Sequence, residues 1–90
     1  MRNERISIGK IIADNIRAER NRANLTQEVV ASKVDVTPRT YISYEQNAKS
    51  VEAPMLLFLS KIFGCNVNDF YLNINFTVCE TDAQNKKEEE

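Results

Sequence analysis

Two short helical segments separated by one turn occupy the middle of the chain, in the sequence Leu25-Thr-Gln-Glu-Val-Val-Ala-Ser-Lys-Val-Asp-Val-Thr-Pro-Arg-Thr-Tyr-Ile-Ser-Tyr-Glu45. Thr26 is a good N-cap for the first segment, because its hydroxyl can accept a hydrogen bond from a free backbone N–H. Thr37 followed by Pro38 marks the start of the second segment, since proline tolerates the first helical position. The pattern predicts two short helices, over 27–33 and 38–46.

A longer amphipathic helix precedes this pair. An isoleucine recurs every fourth residue, at Ile8, Ile12 and Ile16. This spacing predicts a helix from about residue 9 to residue 23. The same row then reaches Arg20, whose charge would be costly to bury without an acidic partner. Glu45 lies on the inward face of the third helix, so we predict a buried or half-buried salt bridge between Arg20 and Glu45.

Two further helices follow a loop. Pro54 opens the fourth helix, and Gly64 is a natural C-terminal stop for it. Leu57 and Phe58 widen the apolar stripe of this helix beyond what one small core requires, so we expect part of the stripe to cover a partner. A short fifth helix is predicted at about 66–72, and the helical unit ends there.

The chain beyond the fifth helix changes character. Residues 73–79 alternate between apolar and polar side chains, with Ile74, Phe76 and Val78 on one face, which is a strand pattern. A single strand needs something to pair with. Residues 80–90 contain too few apolar side chains to pack, so this acidic tail is predicted to be disordered.

Composition excludes several classes of protein. The chain has 90 residues with 2 Cys and no His, which leaves room for one small domain and removes the commonest general base near neutral pH. Cys65 and Cys79 match neither a zinc ribbon nor a disulfide framework, and both are expected to remain reduced thiols. We therefore expect no enzyme activity, no metal and no cofactor. The longest apolar run, 55–59, is far too short to span a membrane, and a cytoplasmic protein with no membrane partner is expected.

The small net charge conceals an asymmetry between the two halves of the chain. Residues 1–50 carry nine Lys and Arg against six Asp and Glu (+3), whereas residues 51–90 carry three against seven (−4), which sum to the net charge of −1. The first half is therefore the candidate surface for a polyanion. Charge counts alone also fit ordinary scatter over a solvated surface.

These features together resemble a known family. Residues 9–72 look like the Cro and phage-repressor type of helix-turn-helix DNA-binding domain, on three motifs: Leu25-Thr-Gln-Glu, Thr40-Tyr-Ile-Ser-Tyr-Glu and Phe63-Gly-Cys-Asn-Val-Asn-Asp-Phe. The resemblance implies an all-α fold of five helices, of the lambda-repressor-like class, here with a C-terminal extension that forms a strand. We divide the chain into an N-terminal arm (1–8), a DNA-binding domain (9–72), a dimerisation strand (73–79) and a tail (80–90).

The third helix presents the candidate base-reading surface. Tyr41, Tyr44 and Glu45 face inward, so the opposite arc can enter a major groove. By position, the residues with which the family reads bases match Pro38, Arg39 and Ser43. Arg39 is the leading candidate for specificity, because its guanidinium can bond guanine O6 and N7 together.

Other side chains are candidates for contacts to the DNA backbone. The resemblance implies that Gln27 touches a phosphate and braces the third helix. Thr26 and Thr37 lie at helix N-termini, where free N–H groups can hold a phosphate, although both fit plain capping as well. Thr40 is a further candidate. Asn47, which tolerates a left-handed backbone at the helix end, and Lys49 match the family's phosphate clamp.

The resemblance implies a transcriptional regulator, most simply a repressor, that binds double-stranded DNA as a homodimer on an inverted-repeat operator. Six apolar side chains are the candidates for the dimer interface: Leu57, Phe58, Phe70, Ile74, Phe76 and Val78. Two other functions stay open at this point. The first is a restriction-modification controller or antitoxin-type regulator, and the second is a protein-interaction module that keeps the fold but binds a protein partner instead of DNA.

Overall fold

The computed structural model describes the backbone of residues 2–74 and the side chains of residues 8–74. Within that range it contains four α-helices and one 3₁₀ helix, with no strand: α1 (Arg2–Arg22), α2 (Gln27–Lys33), α3 (Pro38–Gln46), α4 (Ala53–Phe63) and the 3₁₀ helix Val67–Tyr71. The prediction of an all-α domain is confirmed. None of the helices in the described range combines the length and apolarity that crossing a bilayer requires.

The core lies where α3 packs on α1 and α2, and where the 3₁₀ helix packs on α1 and α4. Its largest fully buried side chains come from five different elements: Ile16, Val30, Tyr41, Leu59 and Phe70. The α2 segment contributes the buried side chains of Val30, Ala31 and Val34 to this core. The helices α2, α3 and α4, of 7, 9 and 11 residues, are too short to be stable alone and depend on this shared apolar contact.

The helix-turn-helix pair forms as its capping signals predict. The Thr26 hydroxyl accepts from the Val29 N–H over 3.1 Å, and the Thr37 hydroxyl accepts from the Thr40 N–H over 3.1 Å. Asp35, in the turn between the two helices, has a left-handed backbone with φ of 62°. Aspartate tolerates that region, so the turn closes without glycine.

The start of α1 was predicted wrongly. The helix begins at Arg2 instead of about residue 9, so the backbone of 2–8 is helical instead of a separate arm. Gly9 lies inside this helix and makes a close contact there, since the Ala48 N–H donates to the Gly9 carbonyl over 3.0 Å. A Cβ at Gly9 would overlap the Asn47 side chain and lie 2.8 Å from the Lys49 backbone nitrogen.

The end of α3 also differs from expectation. Asn47 was expected to be left-handed, but its φ of −160° and ψ of 122° are extended. The extended residue carries the chain directly from α3 to the contact with Gly9 on α1. The left-handed helix end occurs instead at Gly64 after α4, where φ is 74° and the prediction is confirmed.

The fifth element is a 3₁₀ helix, which corrects the predicted count of five α-helices. Asn66 and Asp69 cap it reciprocally: the Asn66 side chain accepts from the Asn68 N–H over 2.9 Å, and the Asp69 carboxylate accepts from the Asn66 N–H over 3.0 Å. This reciprocal cap lies at the N-terminus of a five-residue element, a length typical of 3₁₀ helices.

The described part of the predicted strand is not extended. Asn73 has φ of 71°, in the left-handed region, and Ile74 belongs to no strand. The rest of the predicted strand, 75–79, and the predicted tail, 80–90, lie outside the described residues.

Candidate nucleic-acid interface

A buried carboxylate joins the first three helices. Arg20 on α1 donates from Nε to Glu45 Oε2 over 2.6 Å and from Nη2 to Oε1 over 3.2 Å. Gln27 on α2 donates from Nε2 to Oε1 over 3.1 Å, and the Tyr41 hydroxyl donates to Oε2 within α3. The Glu45 side chain is only 3% exposed and that of Arg20 12%, so the predicted salt bridge is present and buried.

The charge state of this carboxylate follows from its partners. Burial alone would raise the pKa of Glu45, but the hydrogen bonds from Arg20, Tyr41 and Gln27 outweigh it and leave the pKa below its usual value. Burial and the hydrogen bond to Glu45 raise the pKa of Tyr41, so the tyrosine stays a donor. The network therefore holds one negative and one positive charge with every buried side-chain oxygen and nitrogen of the described residues paired.

Arg17 on α1 binds the C-terminal end of α3, a contact that the sequence patterns did not predict. Its Nη1 donates to the Glu45 backbone carbonyl over 3.2 Å, and its Nη2 pairs with Asp14 over 2.7 Å. This bond satisfies a carbonyl in the last turn of α3, which has no partner within the helix. The available signal was the position of Arg17 three residues before Arg20, one turn away on nearly the same face of α1.

The opposite face of α3 is exposed to solvent. Four of its side chains are exposed: Pro38, Arg39, Ser43 and Gln46. The Arg39 guanidinium forms no hydrogen bond or ion pair with any other described residue. Ser43 differs, because its hydroxyl donates to the Thr40 backbone carbonyl over 2.6 Å. All three predicted base-reading residues, Pro38, Arg39 and Ser43, thus lie on one exposed arc.

The three threonines predicted near phosphate also make contacts within the domain. The Thr37 hydroxyl accepts from the Thr40 N–H over 3.1 Å. The Thr37 and Thr40 hydroxyls lie 2.9 Å apart and share one hydrogen bond, which either of them can donate. Among the described residues, the Thr26 hydroxyl accepts from the Val29 N–H and has no acceptor for its own hydrogen. Thr26 and one hydroxyl of the Thr37–Thr40 pair can therefore donate to an outside oxygen.

The turn after α3 carries the last phosphate candidates. The Asn47 Oδ1 atom accepts from the Lys49 backbone N–H over 2.9 Å, which fixes the local path of the turn. Lys49 is exposed, and its ammonium makes no salt bridge within the described residues. The turn rests against α1 at Gly9, so the position of Lys49 depends on a contact with the first helix.

The apolar candidates for a dimer interface separate into two groups. Leu57 and Phe58 are 52% and 48% exposed, as a contact surface requires. Phe70 was placed in this set wrongly: it is fully buried and packs edge-on against Phe63 with ring centroids 6.2 Å apart. Ile74 is partly exposed, while Phe76 and Val78 lie outside the described residues.

Two capped helices joined by a tight turn, held by α1 and followed by α4, define a helix-turn-helix module. A family model described as "Helix-turn-helix" matches residues 16–70, more than half of the 90 residues. The chain belongs to the Cro/C1-type helix-turn-helix family, a regulatory family of DNA-binding proteins that are usually not enzymes. No curated protein and no solved structure matches the chain.

Proposed function

We propose that this protein is a transcriptional repressor that binds duplex DNA by sequence as a homodimer, with α3 of each subunit in the major groove. The observation that carries the proposal is the division of α3 into two faces. Glu45 and Tyr41 fix its inner face in the buried network, while Arg39 stands on its outer face with no partner among residues 8–74. A rigidly held helix with a free guanidinium is suited to reading base edges.

Base reading in this proposal depends first on Arg39. Its two terminal nitrogens match the O6 and N7 acceptors of guanine, the commonest specific contact in the major groove. Pro38 offers its ring to a thymine methyl group at the N-terminal end of the helix. Ser43 lies four residues after Arg39 and therefore on the same face of α3.

Contacts to the phosphates position the helix without reading the sequence. Gln27 uses one hydrogen of its side-chain amide on Glu45, which leaves the second hydrogen for a phosphate oxygen. Lys49 supplies a positive charge from the turn after α3, beside Asn47. Among the threonines we assign phosphate contacts to Thr26 and to the Thr37–Thr40 pair, whose shared hydrogen bond leaves one hydroxyl hydrogen for a phosphate oxygen.

A single module of this size buries only about 600–1,000 Å² against DNA and therefore binds weakly alone. Two copies on two half-sites supply the missing affinity. The exposed Leu57 and Phe58 on α4 supply an apolar surface for the second copy. In the same proposal, residues 73–79 pair with the same segment of the partner, which would bury Ile74, Phe76 and Val78. Symmetric pairing places two α3 helices about one DNA turn apart on an inverted repeat.

Selection of duplexes from a random pool by the purified chain at near-physiological salt tests this proposal. Enrichment of an inverted repeat, with half-sites about 10 base pairs apart from centre to centre, is the expected result. Enrichment of a single half-site would contradict only the homodimer part of the proposal and would leave DNA binding intact. The absence of any enrichment, at low salt as well, would contradict DNA binding and favour the protein-interaction function.

A further inference from the structure

We infer that Ser43 acts only as a hydrogen-bond acceptor in the major groove. It therefore selects an amino base, adenine or cytosine, over a keto base, guanine or thymine, on the strand that it faces. This inference rests on the proposed function and adds to it the chemistry of the second base that α3 reads.

The direction of one hydrogen bond carries the inference. A serine hydroxyl has one hydrogen to donate and two lone pairs with which to accept. The Ser43 hydroxyl donates its hydrogen to the Thr40 backbone carbonyl over 2.6 Å, a short distance for a bond between two oxygens. Only the lone pairs of Ser43 Oγ remain for a ligand outside the protein.

The exposed position of Ser43 makes those lone pairs available to DNA. Ser43 is exposed on the same arc as Arg39, one helical turn further along α3. Four residues of helix advance by about 6 Å. Successive base pairs are about 3.4 Å apart, so Ser43 faces a base about two steps from the guanine that Arg39 reads.

The bases divide by what they present at that place in the major groove. Adenine N6 and cytosine N4 carry amino hydrogens, whereas guanine O6 and thymine O4 are acceptors. An acceptor-only serine can pair with the first two and leaves an unpaired oxygen facing the last two. Reading a keto base would require the hydroxyl to turn and give up its bond to Thr40. The expected half-site therefore combines a guanine with an amino base about two pairs away.

The first experiment compares the duplexes selected by the wild type and by Ser43→Ala. We expect the consensus of the variant to lose its base preference at one position. In the wild-type consensus, that position should carry adenine or cytosine on the strand facing α3. Ser32→Ala is the matched control, because Ser32 is an exposed serine on α2 outside the candidate interface. Its consensus should equal that of the wild type.

The second experiment removes the amino group itself from the selected duplex. Purine replaces an adenine, or 2-pyrimidinone replaces a cytosine, at the Ser43-dependent position. Wild-type affinity should fall about two- to tenfold, the factor that one neutral hydrogen bond contributes. The affinity of Ser43→Ala should stay the same, which corrects for any change in the duplex itself.

Three results would overturn the inference while leaving the proposed function intact. They are a guanine or thymine at the Ser43-dependent position, no change of consensus in Ser43→Ala, and no loss of wild-type affinity on the analogue duplex. Failure of the wild type to enrich any sequence is a different outcome, since it contradicts the proposed function and this inference with it.

Discussion

The guanidinium of Arg20 on α1 donates two hydrogen bonds, of 2.6 Å and 3.2 Å, to the carboxylate of Glu45 on α3. Gln27 on α2 donates to the same carboxylate over 3.1 Å. One buried side chain thus receives donors from α1, α2 and α3.

Loss of Glu45 should therefore destabilise the fold severely. Glu45→Ala leaves the Arg20 charge buried without its partner, and we expect the free energy of unfolding to fall by about 3–5 kcal/mol. Urea denaturation followed by circular dichroism measures this. Asp14→Ala is the control, because it breaks the ion pair between Asp14 and Arg17. The side chains of Asp14 and Arg17 are 57% and 47% exposed, so the loss should cost less than about 1 kcal/mol. Equal stability of Glu45→Ala and the wild type would contradict the role of the network.

The same carboxylate should make stability depend on acid pH. Because the pKa of Glu45 is lower in the folded chain than the unfolded value of about 4.3, the unfolded chain binds the proton more readily. Its contribution to stability is complete above the unfolded pKa and is lost as the pH falls through the folded pKa. Unfolding free energies measured between pH 6 and pH 2 should fall less steeply for Glu45→Gln than for the wild type. Parallel curves would contradict the lowered pKa.

The two tyrosines of α3 offer a matched comparison. Tyr41→Phe removes a hydroxyl that donates to the buried Glu45 carboxylate, and we expect a loss of about 1.5–3 kcal/mol. Tyr44→Phe removes a hydroxyl that makes no hydrogen bond within the described residues, and its effect should stay within about 0.5 kcal/mol. The rings contact each other edge-on at 6.0 Å, so both variants keep the aromatic packing. Similar losses in the two variants would assign the effect to packing alone.

Local patterns were sufficient for the parts of the fold that depend on neighbouring residues. The caps at Thr26 and Thr37 and the stop at Gly64 involve contacts within a few positions of chain. The partner of Arg20 was also predictable, because a charge on an apolar row requires an opposite charge on a facing row.

The errors arose where the conformation or burial of a residue depends on contacts with a distant part of the chain. The backbone at Gly9 lies against the turn of Asn47 and Lys49, almost forty positions away, and no local pattern indicates that contact. The extended backbone of Asn47 leads the chain into it. Phe70 was predicted as a candidate for the dimer interface, but the packing of the 3₁₀ helix on α1 and α4 places it in the core. The hydrogen bond from the Ser43 hydroxyl to the Thr40 backbone carbonyl cannot be predicted from spacing or composition.

Loss of Arg39 and loss of Lys49 should have different effects on binding to selected and to random duplexes. Arg39→Ala should cost about 1–3 kcal/mol on the selected duplex and relax preference at one base position. Lys49→Ala should weaken binding to selected and random duplexes equally and lower the salt dependence of affinity. Titrations of both variants on both duplexes at two salt concentrations distinguish these cases. Equal losses for Arg39→Ala on the two duplexes would place Arg39 among the phosphate contacts.

Gly9→Ala should reverse the usual effect of this substitution in a helix. Alanine normally stabilises a helix interior by about 1 kcal/mol relative to glycine. Here the added Cβ lies 2.8 Å from the Lys49 backbone nitrogen, so the turn must move, and overpacking costs about 1–3 kcal/mol. We expect a net loss of stability by denaturation, while Lys10→Ala at the next, exposed position stays near the wild type. A gain in stability would show that the contact is looser than the structure indicates.

The two faces of α3 have separate constraints. None of the exposed side chains Pro38, Arg39, Ser43 and Gln46 hydrogen-bonds to the Glu45 carboxylate, so a substitution among them leaves the buried network unchanged. On the proposed function, the DNA target can therefore change one side chain at a time while the Glu45 network keeps all its bonds. Within nine residues of helix, packing constrains the inner face and leaves the outer face open to substitution.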